Sequence, residues 1–343
     1  HRTMKTRSLL AATLAAALLA FSFSTAFAAS AGNSAGHILK LGAGARYAAL
    51  GDTGAAEGGD ASAVFWNPAG LGFVERCSVF TTYTSLFESA AHGAASAACP
   101  LKNLGVVALG GQFLNYGEIE SRDNTGAVDG EFSPSDQVLS ASWGLSAGEH
   151  YALGVTGKLV SVKIDNQAYG NALDLGALFR FSGISFGGAL KNAKGKVKIN
   201  EVSETLPQTV VIGAQADFEQ LTFMAAANSA RDGGWVSGGA EYYFSPQSLG
   251  SPVVLRAGYS TRMETKGNNL TFGIGIMEKS WTLDYALVPY GELGLTHQVS
   301  VSYFFLGRKG KPMDRDRITP GYVTPGPLPD RYILMPGEVV PKK

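Results

Sequence analysis

The chain has 343 residues with 28 basic and 28 acidic side chains, so its formal net charge is zero. That balance lacks the basic excess of a nucleic-acid footprint, and no nucleic-acid partner is expected. Only 16% of residues are charged while 45% are hydrophobic and 44 are Gly; this excludes a disordered or collagen-like chain and is poor in charge for an ordinary soluble domain.

Met4, Lys5 and Arg7 form a positive start, Leu9–Phe23 is an apolar run rich in Ala and Leu, and Ala26-Phe27-Ala28 is a small-x-small cleavage signature. This order predicts a signal peptide, 1–28, cut after Ala28, with residues 1–3 an upstream remnant. The apolar run is short for a retained anchor helix, and no Cys follows the cut to carry a lipid. Beyond Ala28 no apolar run approaches the ~20 residues of a spanning helix. The exported chain is therefore soluble, or it crosses a membrane with strands.

Strand patterning decides between these. After Cys77 the apolar period is mostly two. In Trp281–Leu287, Trp281, Leu283, Tyr285 and Leu287 share one face, and Thr282, Asp284 and Ala286 the other. Val299, Val301, Tyr303 and Phe305 alternate likewise, as do Val253, Leu255, Ala257 and Tyr259. The opposite face is mostly Gly, Ser, Thr and Ala, with Val254, Met277 and Phe304 as exceptions, where a soluble sandwich would show Lys and Glu. An apolar face toward lipid and a small or polar face toward a lumen is the pattern of a transmembrane barrel. Tyr83, Tyr242, Tyr243, Phe244, Trp281, Tyr303 and Phe305 suit interfacial girdles.

Turn residues divide the pattern into strands at 78–85, 93–99, 105–114, 137–145, 151–163, 171–180, 184–190, 207–217, 221–229, 235–244, 252–261, 270–277, 281–288 and 296–305. The fold class is all-β: an antiparallel transmembrane β-barrel of fourteen strands, an even number as in bacterial single-chain barrels. Connections 86–92, 115–136, 164–170, 191–206, 230–234, 262–269 and 289–295 tend to be long, and the intervening ones are mostly shorter. Long loops outside and short turns in the periplasm is the expected asymmetry.

Leu39–Gly51 (LKLGAGARYAALG) followed by Gly59–Leu71 (GDASAVFWNPAGL) resembles the start of the PorV/PorQ family of outer-membrane proteins, which belong to the FadL-like barrels. Leu283–His297 (LDYALVPYGELGLTH) is similar to that family's final hairpin. The resemblance implies fourteen strands and an N-terminal hatch folded into the lumen. With the signal peptide and the change of composition after the last strand, the chain divides into the signal peptide, a hatch at 29–76, the barrel at 77–306 and a Pro-rich tail at 307–343. One departure is plain: barrels of this kind usually end on an aromatic, whereas here Phe305 is followed by the tail.

Asn67-Pro68-Ala69 matches the hatch motif of FadL-like barrels. Pro68 fixes φ and removes a donor while Asn67 can bond nearby backbone; turn chemistry alone accounts for these residues, and a structural role is favoured over a moving gate. Gly42-Ala43-Gly44 lacks the strand and third Gly of a dinucleotide fingerprint. Asp52-Thr53-Gly54 has no second copy to form an aspartic-protease pair. Cys77 and Cys99 flank the first hairpin at equal distances from Glu88. Register sets them opposite each other, and an oxidising compartment allows a disulfide near the periplasmic rim. His37, His92, His150 and His297 show no metal-ligand spacing. Inward-facing Lys158, Glu241, Arg256 and Asp284 are a candidate lumen cluster, read mainly as structural. With no nucleophile–base set, no enzyme is expected, and no cofactor.

The tail carries an imperfect repeat, 316–325 and 330–341, with spaced prolines that favour an extended, polyproline-like chain. Tyr322, Tyr332, Ile333 and Leu334 are too apolar for an idle linker, so the tail is read as a docking segment for a periplasmic or secretion-machinery protein. Both mature termini are expected in the periplasm and the barrel in outer-membrane lipid of a Gram-negative cell. Two functions compete. One is passage or binding of small hydrophobic molecules, as the FadL-like resemblance suggests. The other is a non-transporting barrel that holds exported cargo or partners, as PorV-type members do in type IX secretion. A purely structural anchor is a third class.

Overall fold

The computed structural model describes residues 34–87, 89–164, 166–199, 202–231, 233–246, 251–262, 269–290, 294–307, 332–335 and 338–341. The predicted signal peptide and Tyr322 lie outside the described residues. Among these, fourteen antiparallel strands close on themselves in sequence order. They are β1 Arg76–Ser85, β2 Ala91–Pro100, β3 Val106–Asn115, β4 Ser135–Ala147, β5 Tyr151–Lys163, β6 Gln167–Phe181 and β7 Ile184–Ile199 in the first half. The second half is β8 Thr209–Phe218, β9 Leu221–Ala230, β10 Gly233–Phe244, β11 Val253–Ser260, β12 Leu270–Met277, β13 Trp281–Pro289 and β14 Leu295–Gly307. β1 and β14 form the closing seam, with Val79 opposite Tyr303 and Tyr83 opposite Val299. All fourteen expected strands are present.

Side-chain alternation sorts the wall. On β4, Asp136, Val138, Ser140 and Ser142 are buried while Leu139, Trp143 and Leu145 are exposed. Leu109 is 68% exposed and Leu139 and Leu159 are each 65% exposed, so large apolar residues cover the outside. An apolar outer band with polar and small residues within is the physical signature of a barrel in lipid. Exposed aromatics flank the band, among them Trp281 opposite Tyr303 at the short-turn end and Tyr83, Tyr169 and Tyr259 at the other. Tyr243 is a correction to the expected girdle: it is 1% exposed and points inward. It lies between outward Tyr242 and Phe244, and strand alternation gives the two faces to neighbours.

The lumen is filled by residues 34–75. This segment folds as short pieces: a 3-10 turn at His37–Lys40, helical turns at Ala45–Ala48 and Ala63–Trp66, and a 3-10 turn at Pro68–Phe73. Ala63, Val64, Phe65 and Leu71 pack against wall residues Phe80, Ala94, Val106 and Ala108. Ile38 and Leu39 pack against Val138, Val160, Val197 and Leu206. Many of the inward glycines face this segment directly. A methyl group on Gly154 would collide with Pro68, on Gly176 with Asn67, on Gly187 with Ala55 and on Gly258 with Gly51. Only a wall without side chains at these points lets backbone meet backbone.

Three segments depart from the sequence expectation. Residues 191–206, expected as a loop, continue β7 to Ile199 and return as Val202–Thr205, which pairs with the end of β7. β7 carries two bulges against β6: Leu175, Leu173 and Asn171 face Leu190, Ala193 and Lys196. Asn192 (φ 56°) and Lys194 (φ 51°) take the left-handed conformation there. In the tail, Tyr332–Met335 pairs antiparallel with Glu338–Pro341 instead of running as polyproline. A second ribbon, Ile119–Arg122 with Val128–Phe132, projects from the long β3–β4 connection.

Candidate functional site

Asn67 is fully buried. Its Oδ1 accepts from Ala69 N–H at 3.1 Å, which caps the turn that Pro68 opens. Its Nδ2 donates to Ala55 O at 2.7 Å and to Ala177 O of β6 at 3.2 Å. Pro68 supplies a fixed φ at the first position of the turn, where its missing N–H costs nothing. The motif thus ties the lumen segment both to itself and to the wall.

The four residues expected as one lumen cluster separate into two. Glu241, Arg256 and Asp284 lie together, because Glu241 faces Arg256 across β10 and β11 and Asp284 reaches across from β13. Arg256 Nε is 3.1 Å from Glu241 Oε2 and its Nη1 is 2.8 Å from Asp284 Oδ1. Arg46 of the lumen segment completes the group, with Nη2 2.7 Å from Glu241 Oε1 and Nη1 3.5 Å from Glu57. Tyr243 donates to Glu241 Oε2 at 2.9 Å. Burial raises the Glu57 carboxyl above the ordinary range, with Arg46 opposing the shift.

Lys158 belongs elsewhere. It pairs with Asp174 of β6 at 2.6 Å and donates to Asn192 Oδ1 at 2.9 Å. Asn192 donates from its backbone N–H to Asp174 and from Nδ2 to Pro207 O. The first bulge of β7 sets Lys191 and Asn192 together against Asp174, so two successive residues face inward. That double inward aim is what makes this second cluster possible.

Above Lys191 lies a cavity of about 340 Å³ between the lumen segment and the wall from β7 to β11. Leu39, Leu41, Trp66, Val211 and Trp235 give it apolar faces, and Asp52, Lys191, Asn228 and Arg262 give it polar ones. Its residues sit at the strand ends that carry the longer connections. Lys191 donates to Phe65 O at 2.9 Å. Burial raises the Asp52 carboxyl, against the pull of Arg262 and Lys191. Sequence reasoning passed over Trp66, Lys191, Trp235 and Arg262. The one signal was Lys191-Asn192, where the alternation of β7 breaks.

Cys77 and Cys99 form a disulfide that joins the first two strands. It lies at the end of the barrel where β1 begins and β14 ends. Tyr332, Ile333 and Leu334 lie on the tail's ribbon, away in sequence from every residue of the lumen.

No family model matches the chain, and no curated protein matches it in sequence. Solved structures do match. A deletion mutant of TodX, a monoaromatic hydrocarbon channel, aligns with a TM-score of 0.54 at 15% identity, over 77% of this chain and 99% of that one. The toluene transporter TbuX of Ralstonia pickettii aligns with a TM-score of 0.50 at 15% identity, over 78% and 99%. At this identity the likeness is one of fold: this chain is a fourteen-stranded antiparallel membrane barrel, similar in fold to those channels.

Proposed function

We propose that this chain is an outer-membrane barrel of the FadL-like PorV/PorQ type that binds small hydrophobic molecules and passes them across the membrane. The observation that carries the reading is the cavity of about 340 Å³ roofing the lumen segment, with Trp66, Trp235, Leu39 and Val211 on its walls. A concave, mostly pre-formed site with apolar walls and a few placed polar groups is the usual form of a small-molecule site. The fold-level neighbours are named for monoaromatic hydrocarbon and toluene passage, which gives the substrate its expected size. In this reading residues 1–28 direct export, 29–76 act as the hatch, 77–306 sit in lipid, and both mature termini lie in the periplasm. The chain performs no chemistry on what it carries. Uptake of labelled toluene by cells bearing the chain, against cells lacking it, tests the proposal; equal uptake overturns it.

A second reading has its own support in the tail, where Tyr332–Met335 and Glu338–Pro341 make a paired ribbon of apolar composition. Here Tyr322, Tyr332, Ile333 and Leu334 dock a periplasmic or secretion-machinery protein, and the barrel is its anchor. Removing 308–343 then strips specific proteins from the purified complex; an unchanged set of co-purifying proteins counts against it.

A further inference from the structure

The cavity is not a plain hydrocarbon slot. Two indoles bound it, and each carries a cation over its face. Lys191 Nζ is 5.6 Å from the Trp66 ring centroid, and the Arg262 guanidinium carbon is 4.6 Å from that of Trp235. Trp66 is held in place by its indole N–H, which donates to Ala43 O at 2.8 Å. A third donor, Asn228 Nδ2, is buried and has no partner. Asp52 is the one acid on the lining; it stands 4.0 Å from Arg262. Among the described residues no carboxylate lies within ion-pair distance of Lys191, whose Nζ donates only to the Phe65 carbonyl.

A hydrocarbon filling this space would leave Asn228 Nδ2 without an acceptor and the Lys191 charge with the Phe65 carbonyl alone. Buried donors without acceptors are costly, and a charged donor more so than a neutral one. A ligand with an anionic acceptor at one end and a flat apolar body satisfies both parts of the lining at once. We propose that this cavity binds a one-ring aromatic carboxylate, its carboxylate against Lys191, Asn228 and Arg262 and its ring between Trp66 and Trp235. The proposal rests on the reading of the barrel as a carrier of small molecules and narrows what it carries.

The test uses the full chain in lipid nanodiscs, with phenylacetate, its methyl ester and toluene as probes, read by calorimetry and by quenching of tryptophan fluorescence. On the unaltered chain phenylacetate binds about tenfold more tightly than its ester, the worth of a charge-assisted contact. Lys191→Met and Arg262→Gln each erase that preference. Heat-modified gel mobility reports whether each variant keeps its barrel, and the acid–ester comparison on the unaltered chain stands without any variant. Equal binding of acid and ester, or tighter binding of palmitate than of phenylacetate, overturns the proposal. If toluene still binds in that case, the carrier reading survives. If none of the probes binds and toluene uptake is absent, both fall.

Discussion

At the residue scale a buried charge cluster ties the inner segment to the wall. Glu241 is fully buried and accepts from Arg46, Arg256 and Tyr243. Replacing one member of a buried ion pair leaves its partner uncompensated in a poor solvent for charge, at a cost of about 3–5 kcal/mol. Glu241→Gln leaves Arg256 with Asp284 alone and Arg46 with Glu57 alone, and is expected to fall at the lower end of that range. Arg46→Met leaves Glu241 with Arg256 and Tyr243 and costs less; urea unfolding from bilayers ranks the two. Glu57 adds a pH dependence. Its carboxyl is raised in the folded protein by burial, so the folded inner segment keeps this proton at pH values where the unfolded chain has lost it. Its contribution is therefore largest at low pH and weakens as pH rises above about 4. Limited proteolysis of 34–75 should become faster over that rise, and Glu57→Gln should remove the trend. Strand alternation identified the inward faces of Lys158, Glu241, Arg256 and Asp284. It could not tell which of them are neighbours around a circle, and Lys158 proved to belong with Asp174.

At the element scale the strands were legible because two solvents police them. Lipid demands apolar side chains outside, and the packed lumen demands small or polar ones inside, so period two persists through nearly every strand. β7 shows the limit. Its predicted end, residue 190, is where Leu190 gives way to the bulge at Lys191 and Asn192, and a bulge by nature interrupts alternation. Asn192 serves there twice, by its left-handed backbone and by its amide. Asn192→Gly keeps the backbone and loses the bonds to Lys158 and Pro207; Asn192→Ala loses both. The alanine variant should be less stable than the glycine one by about 1 kcal/mol, the cost of a left-handed residue with a Cβ. Equal stabilities would mean that backbone conformation contributes nothing at this site. The cavity above Lys191 was illegible for the same reason, since its residues come from the irregular ends of five strands and the lumen segment.

At the scale of the whole molecule, the abundance of Gly finds its cause inside the lumen. Gly154, Gly176, Gly187 and Gly258 stand on four different strands and each admits the backbone of the inner segment. A side chain on any of them cannot coexist with that segment in place. Gly176→Val or Gly187→Val should loosen residues 34–75, seen as faster proteolysis and as larger conductance in planar bilayers. Gly157→Val, with open space around it on the outer face, should change neither.

That fit also dictates a sequence of events in assembly. A segment touched on all sides by wall backbone cannot be threaded in once the ring is complete. The inner segment precedes β1 in the chain, and the seam that closes the ring joins β1 to β14. The last barrel strand in chain order is thus the one that shuts the door, with its contents already aboard. Crosslinks between residues 34–75 and the early strands should form during insertion before any between β1 and β14 do.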